Sequence, residues 1–421
     1  MLRAEPRARW FFAAHGQSSL GTGAAYVGLI LLAYDRLESP WAISLVLLAD
    51  FLPAMFLGPV FGAAADRWSR RTCAIVADLL RAVAFIALAL VDGFAATVAL
   101  ALLVGAGTGL FLPAALAAIP SLVQKERVAP ATALYGALTD IGFTVGPALA
   151  ALALLAIDPE TLMLANGISF AISAVVLSRI RFGAVKEWDE REEPRSLIRD
   201  AIEGSRVVLA LRGVRAVIAA SAGVILFAGM FNVAELPLVL DELGGGDALF
   251  SILVGIFGLG IAAGSMVGAG GGDVTVLKRR YLIGILATGA GLAGAGLSPN
   301  VAVAALTFAL AGFGNGLVLV HERLLLQATV PESLLGRVFG LKDAAISWGF
   351  AIAFVSAGVL LTALGTREVV VIGGISILML WLVASFALRG TWNDPGDGVE
   401  ADPLPPEARR RARSQVGVPS P

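Results

Sequence analysis

Ionisable side chains stand where the chain is otherwise apolar: Asp50, Asp78, Arg81, Asp140, Glu235, His321, Glu322, Arg323, Lys342 and Asp343. A charge held in hydrocarbon is costly, so each such group pairs with another charge, meets a polar ligand or exchanges a proton. Spacing sorts them. Asp78 and Arg81 stand at i, i+3 and read as a structural ion pair on one helix face. Lys342 and Asp343 fall near the start of their stretch, where they are expected to join the charges around Asp66. Asp50 and Asp140 have no cation beside them, which leaves each protonated or paired across helices. Glu235 precedes Pro237 and also lacks a neighbouring cation. The run His321-Glu322-Arg323 supports two readings, a self-neutralising set snorkelling toward water and a functional cluster.

Other chemistry is excluded by what the sequence lacks. Cys73 is the single cysteine and His15 and His321 the two histidines, so neither an intramolecular disulfide nor a cysteine metal cluster is expected. There is no Gly-x-Ser-x-Gly, no phosphate loop and no paired metal-ligand motif. An enzyme or a cofactor is therefore not expected. Net charge is −1, which gives no bulk attraction to nucleic acid.

The charged groups must be positioned by the apolar stretches that carry them. Hydrophobic residues make up 57% and charged ones 15%, against roughly 25% charged in soluble domains. The apolar excess falls into repeated stretches of about 20 residues, the length that crosses ~30 Å of hydrocarbon. We read spans at 10–34, 41–65, 72–91, 95–120, 131–157, 160–180, 214–240, 248–272, 280–297, 300–328, 336–364 and 368–388. The run from Trp10 to Ala33 is too long for a cleavable signal. The 49 glycines suit helices that pack closely without a hydrophobic drive between them.

Lys and Arg concentrate in cytoplasmic loops. An N-terminus inside puts Arg3, Arg7, Arg9, Arg67, Arg70, Arg71, Lys125, Arg127, Lys278, Arg279 and Arg280 in the cytoplasm, and only Arg36 and Arg367 outside. The expected organisation is a six-helix half at 1–181, a cytoplasmic linker at 182–212, a second half at 213–389 and a solvated cytoplasmic tail at 390–421. A shift of 207 residues carries Gly105-Ala-Gly107-Thr-Gly109-Leu110 onto Gly312-Phe-Gly314-Asn-Gly316-Leu317. The same shift carries Asp66 onto Asp273 and Gly142-Phe143 onto Gly349-Phe350. Six spans intervene, so the repeats run parallel.

The loop after the second span reads Gly62-Ala-Ala-Ala-Asp66-Arg67-Trp-Ser-Arg70-Arg71. This resembles the G-x-x-x-D-R-x-G-R-R signature of major facilitator transporters, with Ser69 where that family usually has Gly. Gly62 would permit close helix contact, Asp66 would bias the gate, and Arg70 and Arg71 would anchor the loop. Gly146-Pro147, with Gly142 a turn earlier, is similar to the antiporter motif of span 5. Together with Gly16-Gln17-Ser18-Ser19-Leu20-Gly21, Pro113 to Val123 and Gly336-Arg337-Val338-Phe339-Gly340, these stretches look like the branch of enterobactin exporters and macrolide efflux proteins. The fold implied is all-α, twelve transmembrane helices in two parallel six-helix pseudo-repeats.

The resemblance implies a proton-coupled exporter of a bulky small molecule, such as a drug, macrolide or siderophore. It would be a monomer in the bacterial inner membrane, with both termini cytoplasmic. Spans 1, 4, 7 and 10 line the cavity in that family, which puts Gln17, Asn232, Glu235, Asn315 and Glu322 on lining helices. Relatives often carry an acid just after the Leu-Gly of span 1, and here Thr22 stands there. The proton carrier is then expected elsewhere, Glu235 first, with Asp50 and Asp140 as rivals. Import of small polar solutes such as sugars or organic acids is the alternative within transport. A non-transporting scaffold is the alternative outside it, and neutralising the intramembrane acids would leave a scaffold unaffected.

Overall fold

The structure is a computed structural model that describes residues 5–180, 182, 211–268 and 271–392. Among these, twelve long α-helices follow in order: α1 (Pro6–Leu37), α2 (Pro40–Arg67), α3 (Arg70–Leu88), α4 (Phe94–Leu122), α5 (Val128–Ala153), α6 (Pro159–Arg179), α7 (Arg212–Pro237), α8 (Asp247–Gly268), α9 (Val274–Gly296), α10 (Val301–Thr329), α11 (Glu332–Leu364) and α12 (Thr366–Ala387). Most of the expected linker and tail lies outside the described residues.

The helix ends follow from the residues that sit there. Ser39, Ser69, Asp158, Asp273 and Asn300 are N-caps whose side chains accept from backbone N–H groups two or three residues on. Pro opens α1, α2 and α6, where its missing N–H is no loss. Gly365, at φ 98°, makes the turn between α11 and α12 that a side chain would strain.

Nine helices among the described residues are long and apolar enough to cross a membrane by length and composition. The remaining three are more polar. α1 carries the run Gly16 to Ser19, α3 carries Arg70, Arg71, Asp78 and Arg81, and α9 carries Lys278-Arg279-Arg280 in its second turn.

The pairings of α1–α6 recur in α7–α12. α1 packs on α5 and α6, α2 on α4, and α3 on α4 and α6; α7 packs on α11 and α12, α8 on α10, and α9 on α10 and α12. Two seams join the sets, α5 with α8 and α2 with α11. Glycine makes the close approaches possible. A Cβ on Gly105 would strike the Asp50 backbone, on Gly107 Ala77 and Arg81, and on Gly109 Ala54. In the other set Gly312 stands against Phe257, Gly314 against Gly284 and Thr288, and Gly316 against Ile261. The partners Asp50, Ala77, Arg81 and Ala54 are displaced onto Phe257, Gly284, Thr288 and Ile261 by the offset that relates the glycines themselves.

One end of the bundle is sealed and the other is not. At the sealed end one apolar core runs through both sets, with Leu29 to Ala33, Ile43, Val46, Leu236, Val239, Phe250 and Leu253 all buried. Tyr34 donates to Asp241 there at 3.0 Å. Aromatic contacts continue down the α2–α11 seam, Phe51 on Phe350 at 5.5 Å and Phe56 on Trp348 at 5.9 Å. At the other end a second apolar core, around Phe11, Ala74, Phe111, Ile119 and Tyr135, belongs to the first six helices alone. A cavity opens beside it.

Candidate functional site

The cavity has a volume of about 1010 Å³ and lies between α1, α4 and α5 on one side and α10 and α11 on the other. Its wall combines rings (Phe111, Tyr135, Phe143, Phe339), hydroxyls (Ser18, Ser19, Thr22, Thr108, Thr132, Thr139) and charges (Arg81, Asp140, Arg323, Lys342, Asp343).

On the first wall, His15 stacks on Tyr135 with ring centroids 3.9 Å apart. Its Nε2 lies 3.0 Å from the Thr139 hydroxyl and 3.3 Å from the Tyr135 carbonyl. Behind it Arg81 pairs with Asp78, as its i, i+3 spacing requires, and Asp78 also accepts from Ser173 at 2.7 Å. The guanidinium is held between the Phe111 and Phe170 rings, 4.5 and 4.3 Å from their centroids. The pair is almost wholly buried, at 7% exposure for the arginine side chain and 0% for the aspartate.

The second wall carries the 321–323 run, and its three members separate. His321 turns Nδ1 to the Leu317 carbonyl of its own helix at 2.8 Å. Glu322 points inward and accepts from Ser221 of α7 at 2.8 Å, while its other oxygen lies 3.4 Å from Lys342 of α11. Arg323 faces the cavity and meets Asp140 of α5 at 3.5 Å, across the two sets. The cation of Glu322 is thus Lys342 and not its sequence neighbour, and Asp140 has a partner 183 residues away. Lys342 also lies 3.4 Å from Asp343.

The other sequence-selected residues stand off the cavity wall. Gln17 donates to the Ser169 carbonyl of α6 at 2.8 Å. Asn232 and Asn315 are half-buried. Asp50 is half-buried at the α2–α4 crossing. Glu235 is 4% exposed near the sealed end, one turn before the π-helical segment Leu238–Glu242 that follows Pro237. Tyr26 of α1 has a buried hydroxyl that makes no hydrogen bond.

The two motifs are used differently from what their spacing alone suggests. Gly62 has nothing within 4 Å of its Cβ position, so no close contact requires it here. The Asp66 side chain lies outside the described residues. Arg67 is exposed. Arg70 donates to the Ala117 carbonyl near the end of α4 at 2.9 Å, and Arg71 to the Leu177 and Ser178 carbonyls that end α6. The Ser178 carbonyl is one that the end of α6 leaves over, and a cation suits the negative end of the helix dipole. Ser69 caps α3 through its hydroxyl.

Gly142 and Gly146 face α1 within the same set. A Cβ on Gly146 would lie 2.6 Å from Gly23, and one on Gly142 2.5 Å from the Ser19 carbonyl. The opposite face of α5, at Thr144 and Ala148, meets Gly258 and Gly255 of α8. Pro147 is buried between these faces.

His15, Tyr135, Thr139, Phe143, Gln327 and Phe339 escaped sequence reasoning. A rare histidine beside a polar run in an apolar helix was the one available signal for His15. The rings carried none, because aromatic residues in a span ordinarily face lipid or core.

The chain is similar to the multidrug efflux pump Tap of Mycobacterium tuberculosis, 25% identical over 390 residues covering 87% of this chain and 90% of that one. It is similar to macrolide efflux protein A of Streptococcus pyogenes, 24% identical over 382 residues covering 88% and 93%. Among solved structures, the nucleoside transporter NupG superposes with a TM-score of 0.69 at 13% identity, over 91% of this chain and 99% of that one. A bacterial homologue of the lysosomal transporter Spinster, in an inward-facing and unoccupied conformation, gives 0.69 at 14% identity, over 91% and 98%. The family described as transmembrane secretion effector matches residues 4–406. With that match over nearly its whole length, the chain belongs to the transmembrane secretion effector family of major facilitator transporters.

Proposed function

We propose that this transporter exports a bulky, largely apolar small molecule by alternating access, in exchange for protons. The observation that carries the reading is the cavity of about 1010 Å³, enclosed between two sets of helices and sealed at one end only. Rocking about the α5–α8 and α2–α11 seams would seal one end as it opens the other. The reading takes all twelve helices as spans, in two parallel pseudo-repeats at 1–181 and 213–389. The recurrent pairings and the paired glycine contacts support that. The names of the efflux relatives favour export and a bulky cargo.

The open end carries Arg67, Arg70, Arg71, Lys125 and Arg127, so by charge bias it faces the cytoplasm of a bacterial inner membrane, with the linker 182–212 and tail 390–421 on that side. The protein would act as a monomer. A proton carrier must meet both sides in turn. Glu235 stands in the sealed end, where opening would bring it to water, and it remains the first candidate. Efflux from proteoliposomes, with and without an imposed pH gradient, tests the reading. A panel of drugs and siderophores should include molecules expelled faster under the gradient. Uptake of sugars or organic acids in the same vesicles would establish import instead.

A further inference from the structure

Glu322 is a carboxylate held on one oxygen and loosely covered on the other. Ser221 donates to Oε2 at 2.8 Å, and the Tyr281 hydroxyl lies 2.9 Å from the Ser221 oxygen, so the acid is positioned from behind. Oε1 makes no hydrogen bond. It faces the Lys342 ammonium at 3.4 Å. That ammonium is the same 3.4 Å from Asp343, whose side chain is 71% exposed, and it lies 5.4 Å from the Phe339 ring centroid. Lys342, Asp343 and Phe339 line the cavity, and Glu322, at 6% side-chain exposure, stands directly behind the lysine.

We propose that Glu322 is the docking point for the positive charge of a lipophilic cationic substrate, and that Lys342 holds this place with its own ammonium until the substrate displaces it. The proposal rests on the transport reading above and names its substrate class. A buried carboxylate without a cation is costly, so in the native chain one cation or another is favoured there. Lys342 can leave because Asp343 already shares it and is solvated. An arriving ammonium then exchanges one cation for another on the same oxygen. Phe339 offers an aromatic face to a cation at that point. A neutral molecule of the same size has nothing with which to displace the lysine.

Equilibrium binding to the full-length chain in nanodiscs tests this, with ethidium as the cationic probe and N-phenyl-1-naphthylamine as the neutral one. Glu322→Gln should weaken ethidium binding about tenfold or more and leave the neutral probe within about twofold. Lys342→Met, which removes the internal competitor, should tighten ethidium about tenfold and leave the neutral probe unchanged. A purely structural pair gives a different pattern, with both variants lowering affinity for both probes alike. That pattern, unchanged ethidium binding by Glu322→Gln, or no saturable ethidium binding by the native chain would overturn the proposal. Should Glu322→Gln fail to fold, Lys342→Met decides: tighter ethidium binding supports the site, and weaker or unchanged binding ends it. Binding is read without gradient or direction, so a failure of the export reading, with neither probe expelled from vesicles, remains distinguishable.

Discussion

The two sets of six helices share one pattern of contacts and invest their polar residues differently. In the first, Asp78, Arg81 and Ser173 form a buried cluster between α3 and α6, and α1 crosses α5 on Gly23, Gly142 and Gly146 with backbone nearly touching backbone. In the second, the positions of Asp78 and Arg81 are Ile285 and Thr288, and the α7–α11 crossing runs on Gly229 and Ala353 with more room. Its charges, Glu322 and Lys342, sit at the cavity edge instead. The first set reads as a rigid wall and the second as the wall that changes partners. Buried, satisfied charge fixes a conformation, whereas charge shared between two partners at a water boundary can move.

The comparison breaks most sharply at the buried pair. Arg81→Met leaves Asp78 alone in the core and should cost about 3–5 kcal/mol, seen as a collapse of folded protein and Tm in detergent. Adding Asp78→Asn should restore part of it. The exposed Arg323–Asp140 pair of the second wall should lose far less on Arg323→Met, and an equal loss from both would erase the distinction. Gly146→Leu comes next. It drives a side chain into Gly23 and should abolish efflux with little folded protein left. Gly349→Ala, whose Cβ would stand 3.1 Å from the Ala222 carbonyl, should keep most activity.

The loop motif supplies a third contrast. Asp66→Asn should leave insertion intact and cripple transport, since a few kcal/mol decides which rocking state is populated. Asp273, the counterpart 207 residues on, caps α9 by accepting from Val276, and Asn caps as well, so Asp273→Asn should be nearly silent. Native efflux by a correctly inserted Asp66→Asn chain would remove the gate from the first set. Glu235→Gln should transport while losing its response to an imposed pH gradient; a mutant that responds as the native chain does excludes Glu235 as carrier. The smallest effect belongs outside both walls. Truncation before Asp394 keeps Trp392, which packs on Gly213, and efflux should stay within about twofold. A tenfold loss would make the tail a working part.

What the sequence alone determined is local or periodic. Apolar stretches of bilayer length lie where the long helices form, because a helix in lipid satisfies its backbone within itself. Three of them, α1, α3 and α9, are interrupted by charge and polar runs. The offset of 207 residues was legible because glycine spacing is a direct trace of helix contact. The Asp78–Arg81 pair was legible because its partners share one helix face.

What only the tertiary structure decided is which face meets which partner. Successive residues of a helix point about 100° apart, so His321, Glu322 and Arg323 go three ways and their adjacency misleads. Asp140 finds Arg323 and Glu322 finds Lys342 through helix packing that no spacing rule encodes. The glycines beside Pro147 turn to α1 for the same reason. A span is written in a chain's own composition, but a site between spans exists only once the helices have chosen their rotations.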